Sequence, residues 1–115
     1  MLHSNQDLIA TAQTGTGKTA AFGLPLLQLT DTNSNKIQTL ILCPTRELCL
    51  QIGKDLSNYS KYLKNINTLS VYGGAKIDKQ IRSLKKGPQI IVGTPGRTKD
   101  LIRRKKLFLE NIKRL

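Results

Sequence analysis

The 115-residue sequence has few of the residue types that build metal centres and disulfide frameworks. It contains one histidine, two cysteines and no tryptophan. Because His3 stands alone and Cys43 and Cys49 are not in a C-x-x-C spacing, we expect no zinc site. Cys43 ends an apolar run and Cys49 lies on a predicted helix. This placement favours two buried free thiols in a reducing cytoplasm.

Long apolar runs are also absent. No run approaches the roughly 18 residues that a membrane span needs. The N-terminus does not combine a basic stretch with an apolar one, as a secretory signal would. The sequence therefore predicts a cytoplasmic protein without a membrane partner.

Acidic residues are scarce. Seven Asp and Glu face 19 Lys and Arg, which gives a net charge of +12. Near the end of the chain, Asp100 and Glu110 accompany a larger basic set: Lys99, Arg103, Arg104, Lys105, Lys106, Lys113 and Arg114. This charge fits either a solvated basic face or a surface that binds a polyanion, with nucleic acid as the first candidate.

Short apolar runs alternate with helical patterns along the chain. Strands are predicted at residues 7–10, 37–43, 67–72 and 89–92, and helices at residues 17–29 and 77–84 and from Pro95 onward. Pro25 should kink the first helix because it removes a backbone donor. This alternation predicts an α/β fold in which helices cover both faces of a parallel sheet. The loops after the strands then gather at one edge, where ligands bind.

The clearest helical pattern follows Pro44. Its apolar residues recur every three or four positions and share one face: Leu48, Ile52, Leu56, Tyr59 and Leu63. The polar residues Lys54, Asp55, Lys61 and Lys64 are expected on the remaining surface.

The stretch AQTGTGKT matches the P-loop pattern G-x-x-x-x-G-K-[ST] except at its first position, Ala12. The backbone N–H groups of such a loop wrap a phosphate, and the helix that follows adds the positive end of its dipole. Lys18 is expected to reach the β- and γ-phosphates and the Thr19 hydroxyl to coordinate Mg²⁺, so both are candidate catalytic residues. The predicted nucleotide site comprises Ala12, Gln13, Thr14, Gly15, Thr16, Gly17, Lys18 and Thr19.

A second motif, PTREL, follows the strand predicted at residues 37–43. Thr45 could simply cap a helix, with Glu47 favourably placed in its first turn. Alternatively, Pro44, Thr45, Arg46 and Glu47 hold a backbone phosphate of a nucleic acid together with the helix amides.

Two further motifs follow later strands. Gly73 and Gly74 could form an ordinary turn, or could let a sugar–phosphate backbone approach the main chain. The TPGR motif, comprising Thr94, Pro95, Gly96 and Arg97, could be a capped helix start or a phosphate contact with Arg97 as a charge clamp.

In this order and spacing, AQTGTGKT, PTREL, the glycine pair and TPGR resemble motifs I, Ia, GG and Ib of the DEAD-box RNA helicases. In that family the first P-loop position is commonly alanine, which accounts for Ala12. The resemblance covers residues 6–115 and implies a RecA-like first domain that binds ATP and Mg²⁺ at residues 14–19. It also implies that residues 44–47, 73–74 and 94–97 contact the phosphates and riboses of single-stranded RNA, and that the partner is single-stranded or duplex RNA. Such contacts are largely independent of base sequence, because they involve the RNA backbone.

ATP hydrolysis in this class needs a carboxylate at the end of an apolar strand. The strands expected to end at Cys43, Tyr72 and Val92 run instead into proline or glycine loops. By resemblance, the sequence also lacks the Asp-Glu-Ala-Asp strand, an upstream adenine-reading glutamine, the Ser-Ala-Thr motif and a second domain with arginine fingers. We therefore predict that residues 1–115 are part of an N-terminal helicase ATP-binding domain, and that this chain alone is inactive.

Two other interpretations stay open. The chain could be a non-catalytic nucleotide- or RNA-binding module that is complete as given. An unrelated P-loop enzyme, such as a kinase or small GTPase, has less support, because no guanine-reading or acceptor-binding motif is found and PTREL and TPGR would be coincidental.

Overall fold

The structure is a computed structural model that describes residues 16–108 apart from residues 62 and 64. Within this part, three strands alternate with four helices. The strands are β1 (Thr39–Leu42), β2 (Thr68–Val71) and β3 (Ile90–Gly93), and the helices are α1 (Thr16–Leu29), α2 (Arg46–Tyr59), α3 (Ile77–Leu84) and α4 (Pro95–Arg103). This architecture confirms the predicted α/β class. The strand predicted at residues 7–10 lies outside the described residues.

The three strands form a parallel sheet in the order β1-β3-β2. Leu42 of β1 and Val71 of β2 both pair with Gly93 of β3, so all three strands end at the same level. Two hydrogen bonds extend the ladder by one step, from Cys43 N–H to the Gly93 carbonyl and from Thr94 N–H to the Val71 carbonyl. The segments that follow the strands therefore leave the sheet side by side.

Helices cover both faces of the sheet, as predicted. Every residue of β3 is buried, and successive side chains point to opposite faces. Ile90 and Val92 pack in a cluster with residues of α1 and α2, whereas Ile91 packs in a second cluster with Leu101 and Leu107. The TPGR segment therefore begins directly after a strand that is buried on both faces.

Gly93 sets the distance between β3 and α4. A Cβ atom at Gly93 would overlap the Thr98 hydroxyl and would lie 2.9 Å from Val71 Cγ2. Because side chains cannot approach that closely, the first turn of α4 could not sit directly against the strand end if this residue were larger. The glycine thus keeps Thr94 and Pro95 close to the sheet.

Two details of the predicted α2 surface are wrong. The helix ends at Tyr59, so Leu63 lies beyond it and is 47% exposed instead of continuing the apolar face. Asp55, expected among the solvated residues, is buried. α2 contacts α1 as well as the sheet. The Oδ1 atom of Asp55 accepts a hydrogen bond from Gln51 Nε2 at 3.0 Å.

Both cysteines are buried and free, as predicted. The Cys49 thiol donates to the Val92 carbonyl at 3.1 Å. A hydrogen bond with Cys49 raises the pKa of the Cys43 thiol, and burial raises it further. The same contact lowers the pKa of Cys49. Both cysteines belong to the buried cluster that packs on one face of the sheet.

Candidate nucleic-acid interface and nucleotide loop

Three of the four sequence motifs lie at the carboxyl edge of the sheet. PTREL follows β1, the glycine pair follows β2 and TPGR follows β3. Because β3 is the middle strand, the TPGR segment lies between the other two. The motifs are distant in sequence, and the common strand level brings them to one edge.

The PTREL segment starts α2 and stays accessible. Residues 44–47 are exposed. Thr45 is the N-cap, and its Oγ1 accepts a hydrogen bond from Leu48 N–H at 3.2 Å. The Arg46 guanidinium lies over the Tyr72 ring, 4.9 Å from the ring centroid, in cation–π geometry. The aromatic ring thus directs an exposed positive charge toward the glycine pair.

The glycine pair is exposed, and its two members differ. Gly74 has a φ of +82°, which non-glycine residues rarely adopt, and a Cβ there would lie 3.1 Å from Arg46 Nη1. A Cβ on Gly73 would meet no atom within 4 Å. The turn geometry therefore accounts for glycine at position 74 and does not account for glycine at position 73.

The TPGR segment starts α4, with Thr94 as the N-cap and Pro95 in the first turn. Unlike Thr45, Thr94 makes no side-chain capping bond, which leaves the first-turn amides of α4 without that acceptor. Arg97 is half-buried. Its Nη1 donates to Gln80 Oε1 at 2.9 Å, and its Nη2 donates to the Ala75 carbonyl at 3.0 Å.

Two residues of this site are missing from the sequence-based prediction. Tyr72 supports Arg46, and Gln80 of α3 binds Arg97. Neither belongs to a recognisable motif. The one available signal was that Gln80 lies on the same helical face as Ile77, Ile81 and Leu84, where a polar residue needs a buried partner.

The phosphate loop is described only in part. Residues 12–15 lie outside the described residues, while Thr16, Gly17, Lys18 and Thr19 form the first turn of α1. This backbone placement fits phosphate binding, because the N-terminal amides of α1 come directly after the loop.

No metal-binding cluster of three or more His, Cys, Asp or Glu was found in the described part of the chain. Its acidic residues are Asp31, Glu47, Asp55, Asp78 and Asp100, and none directly follows β1, β2 or β3. None of the helices described here is long and apolar enough to cross a membrane.

The architecture is that of a RecA-like α/β domain, and comparison with known proteins identifies the family. Residues 1–115 match the family model described as DEAD/DEAH box helicase. The chain belongs to this family.

Individual relatives agree with the family model. Over 110 residues the chain is 56% identical to the ATP-dependent RNA helicase CshA of Listeria monocytogenes, covering 96% of this chain and 21% of that protein. The crystal structure of the yeast DEAD-box splicing factor Prp28 superposes with a TM-score of 0.82 at 30% identity, over 96% of this chain and 27% of that one. A Dbp5 variant from S. cerevisiae bound to RNA and ADP BeF3 superposes with a TM-score of 0.74 at 37% identity, over 93% and 26%. The chain thus spans about a fifth of the curated relative and about a quarter of the solved chains.

Because Gly74 has a positive φ and Gly73 does not, replacing each glycine by alanine should affect stability differently. Gly74→Ala should lower the free energy of unfolding by about 1–2 kcal/mol, because alanine is strained at positive φ. Gly73→Ala, the matched control, should change it by less than about 0.5 kcal/mol. Urea denaturation of both variants measures the effect. Equal losses would show that the turn does not have the geometry described.

Proposed function

We propose that this chain is part of an ATP-dependent RNA helicase, and that the carboxyl edge of its sheet binds the RNA backbone while the loop before α1 binds ATP. The observation that carries the proposal is the placement of PTREL, Gly73-Gly74 and TPGR at one strand level in a chain of the DEAD/DEAH box family. The Dbp5 relative, of the same fold, is described as bound to RNA and ADP BeF3.

The chemistry of this edge suits a phosphate backbone. Exposed Arg46 lies over Tyr72, and half-buried Arg97 donates to the Ala75 carbonyl, so both supply positive charge next to the glycine pair. The amides at the start of α4 add donors and the positive end of a helix dipole. Contacts of this kind position a nucleic acid without reading its bases. The net charge of +12 adds favourable long-range attraction.

Glycines occupy two places where packing does not require them. A Cβ at Gly73 or at Gly96 would meet no atom within 4 Å, and neither residue has a positive φ. Gly96 even lies in the first turn of α4, where glycine is a poor helix former. We attribute both to close approach of the RNA backbone, for which a methyl group would be an obstacle.

The proposed ATP site lies at the start of α1. The helix begins at Thr16, directly after residues 12–15 in the sequence, and amides at a helix N-terminus can bind a phosphate. Lys18 would neutralise phosphate charge, and Thr19 would bind Mg²⁺ through its hydroxyl. ATP, when bound, supplies the phosphoanhydride bond whose hydrolysis drives the cycle. No carboxylate directly follows a described strand, so we propose that hydrolysis uses residues outside this chain.

Gly96→Ala separates RNA binding from stability. The variant should weaken binding of a single-stranded RNA oligonucleotide by about tenfold, which corresponds to about 1.4 kcal/mol. Its free energy of unfolding should stay unchanged or rise by up to about 1 kcal/mol, since alanine favours the helix. Fluorescence anisotropy and urea titration measure the two quantities in the full-length protein that contains this chain. Unchanged RNA affinity would argue against backbone contact at α4.

Lys18→Ala tests the nucleotide site. In the full-length protein, RNA-stimulated ATP hydrolysis should fall about 100-fold or more, because a preorganised positive charge is lost from the phosphates. The control is Lys36→Ala, since Lys36 is exposed and lies before β1, at the other end of the sheet. This variant should hydrolyse ATP at the rate of the unsubstituted protein.

The alternatives predict different outcomes from the same assay. Turnover by residues 1–115 alone, abolished by Lys18→Ala, would contradict the proposal that catalytic parts lie elsewhere. RNA binding by the full-length protein without ATP hydrolysis would favour a non-catalytic binding module.

A further inference from the structure

Gln80 is a buried polar residue that no sequence motif contains. It lies on α3 with 6% of its surface exposed. Both ends of its amide have partners: Nε2 donates to the Tyr72 carbonyl at 3.1 Å, and Oε1 accepts from Arg97 Nη1 at 2.9 Å. A buried amide with both groups satisfied has a fixed orientation, since any rotation would leave a donor or acceptor without a partner.

These bonds hold the glycine pair at both ends. Gln80 fixes the carbonyl of Tyr72, the residue before Gly73, and Arg97 fixes the carbonyl of Ala75, the residue after Gly74. Because Gln80 and Arg97 are bonded to each other, the glycine loop is tied to the start of α4. The Tyr72 ring in turn lies beneath the Arg46 guanidinium. The contacts thus connect the three segments that follow the strands.

The absence of charge on the Gln80 side chain matters as much as its hydrogen bonds. Arg97 donates to an amide and to a backbone carbonyl, and within the described residues no carboxylate pairs with it. Its positive charge is therefore held in place without being cancelled. A glutamate at position 80 would place a negative charge against Arg97 and an acceptor against the Tyr72 carbonyl.

We infer that Gln80 is a positioning residue for RNA, which fixes the Gly73-Gly74 loop relative to α4 and holds Arg97 while leaving its charge available to a phosphate. This inference rests on the proposed function of the carboxyl edge. Gln80 itself makes no contact with RNA in this arrangement. It acts through Arg97 and through the backbone on each side of the glycine pair.

The test compares two buried glutamines in the full-length protein. Gln80→Leu removes both bonds, and Gln80→Glu replaces the neutral amide by a charge. Gln89→Leu is the matched control. Gln89 is also buried and binds backbone groups of Ser34, Asn65 and Asn67, at the opposite edge of the sheet. Binding of a fluorescent single-stranded oligouridine is measured across a range of salt concentrations, and urea denaturation establishes the folded fraction.

Both Gln80 variants should lose RNA affinity about tenfold or more, whereas Gln89→Leu should bind within about twofold of the parent at a comparable loss of stability. Gln80→Glu should also reduce the slope of log affinity against log salt by about one, because one cationic contact is neutralised.

Normal RNA affinity in Gln80→Leu, or an equal loss in Gln89→Leu, would overturn the inference. If the unsubstituted protein binds no RNA at any salt concentration, the proposed function fails first and the inference fails with it. If the parent binds and Gly96→Ala weakens binding while the Gln80 variants do not, only the inference fails.

Discussion

The parallel register of the three-stranded sheet is the constraint on which the described structure depends. Leu42 and Val71 both pair with Gly93, so the chain leaves three strands at one level. Since the strands are parallel, each following segment emerges at the same edge, and three motifs separated by dozens of residues become neighbours. The absence of a side chain at Gly93 lets α4 start directly against this edge. A shift in the pairing of β3 would move the central motif out of line with the other two.

The two arginines at the carboxyl edge are held in place by uncharged groups. Arg46 is placed by an aromatic ring, and Arg97 by an amide and a carbonyl, and among residues 16–108 as described neither guanidinium forms a salt bridge. An ion pair would hold an arginine equally well but would cancel the field that attracts a polyanion. By contrast, Arg104, after the end of α4, pairs with Asp100 at 3.1 Å. In the described part of the chain, Arg104 thus has a charged partner, whereas Arg46 and Arg97 at the carboxyl edge have uncharged ones.

Much of the fold could be predicted from sequence because apolar periodicity and turn residues are local signals. The three described strands, the helix starts at Thr45 and Thr94 and the buried thiols follow from such signals. Burial of Asp55 could not be predicted, since the apolar pattern of α2 places this residue outside the predicted core face. The roles of Tyr72 and Gln80 were also missed, because each depends on a partner brought close only by the fold. The assignment of Ala12 to Gly15 to a phosphate loop stays a prediction from the motif.

Amide hydrogen exchange, measured on the full-length protein with and without a single-stranded RNA oligonucleotide at low salt, is the most direct test of the central claim. If the carboxyl edge is a single RNA surface, exchange should slow together in its three segments, residues 46–48, 73–74 and 96–97. Amides at the opposite edge, around Asn35 and Gly87, should exchange at the same rate in both conditions. Protection of only one of the three segments, or protection centred on the opposite edge, would contradict a single RNA surface built by the level ends of the strands.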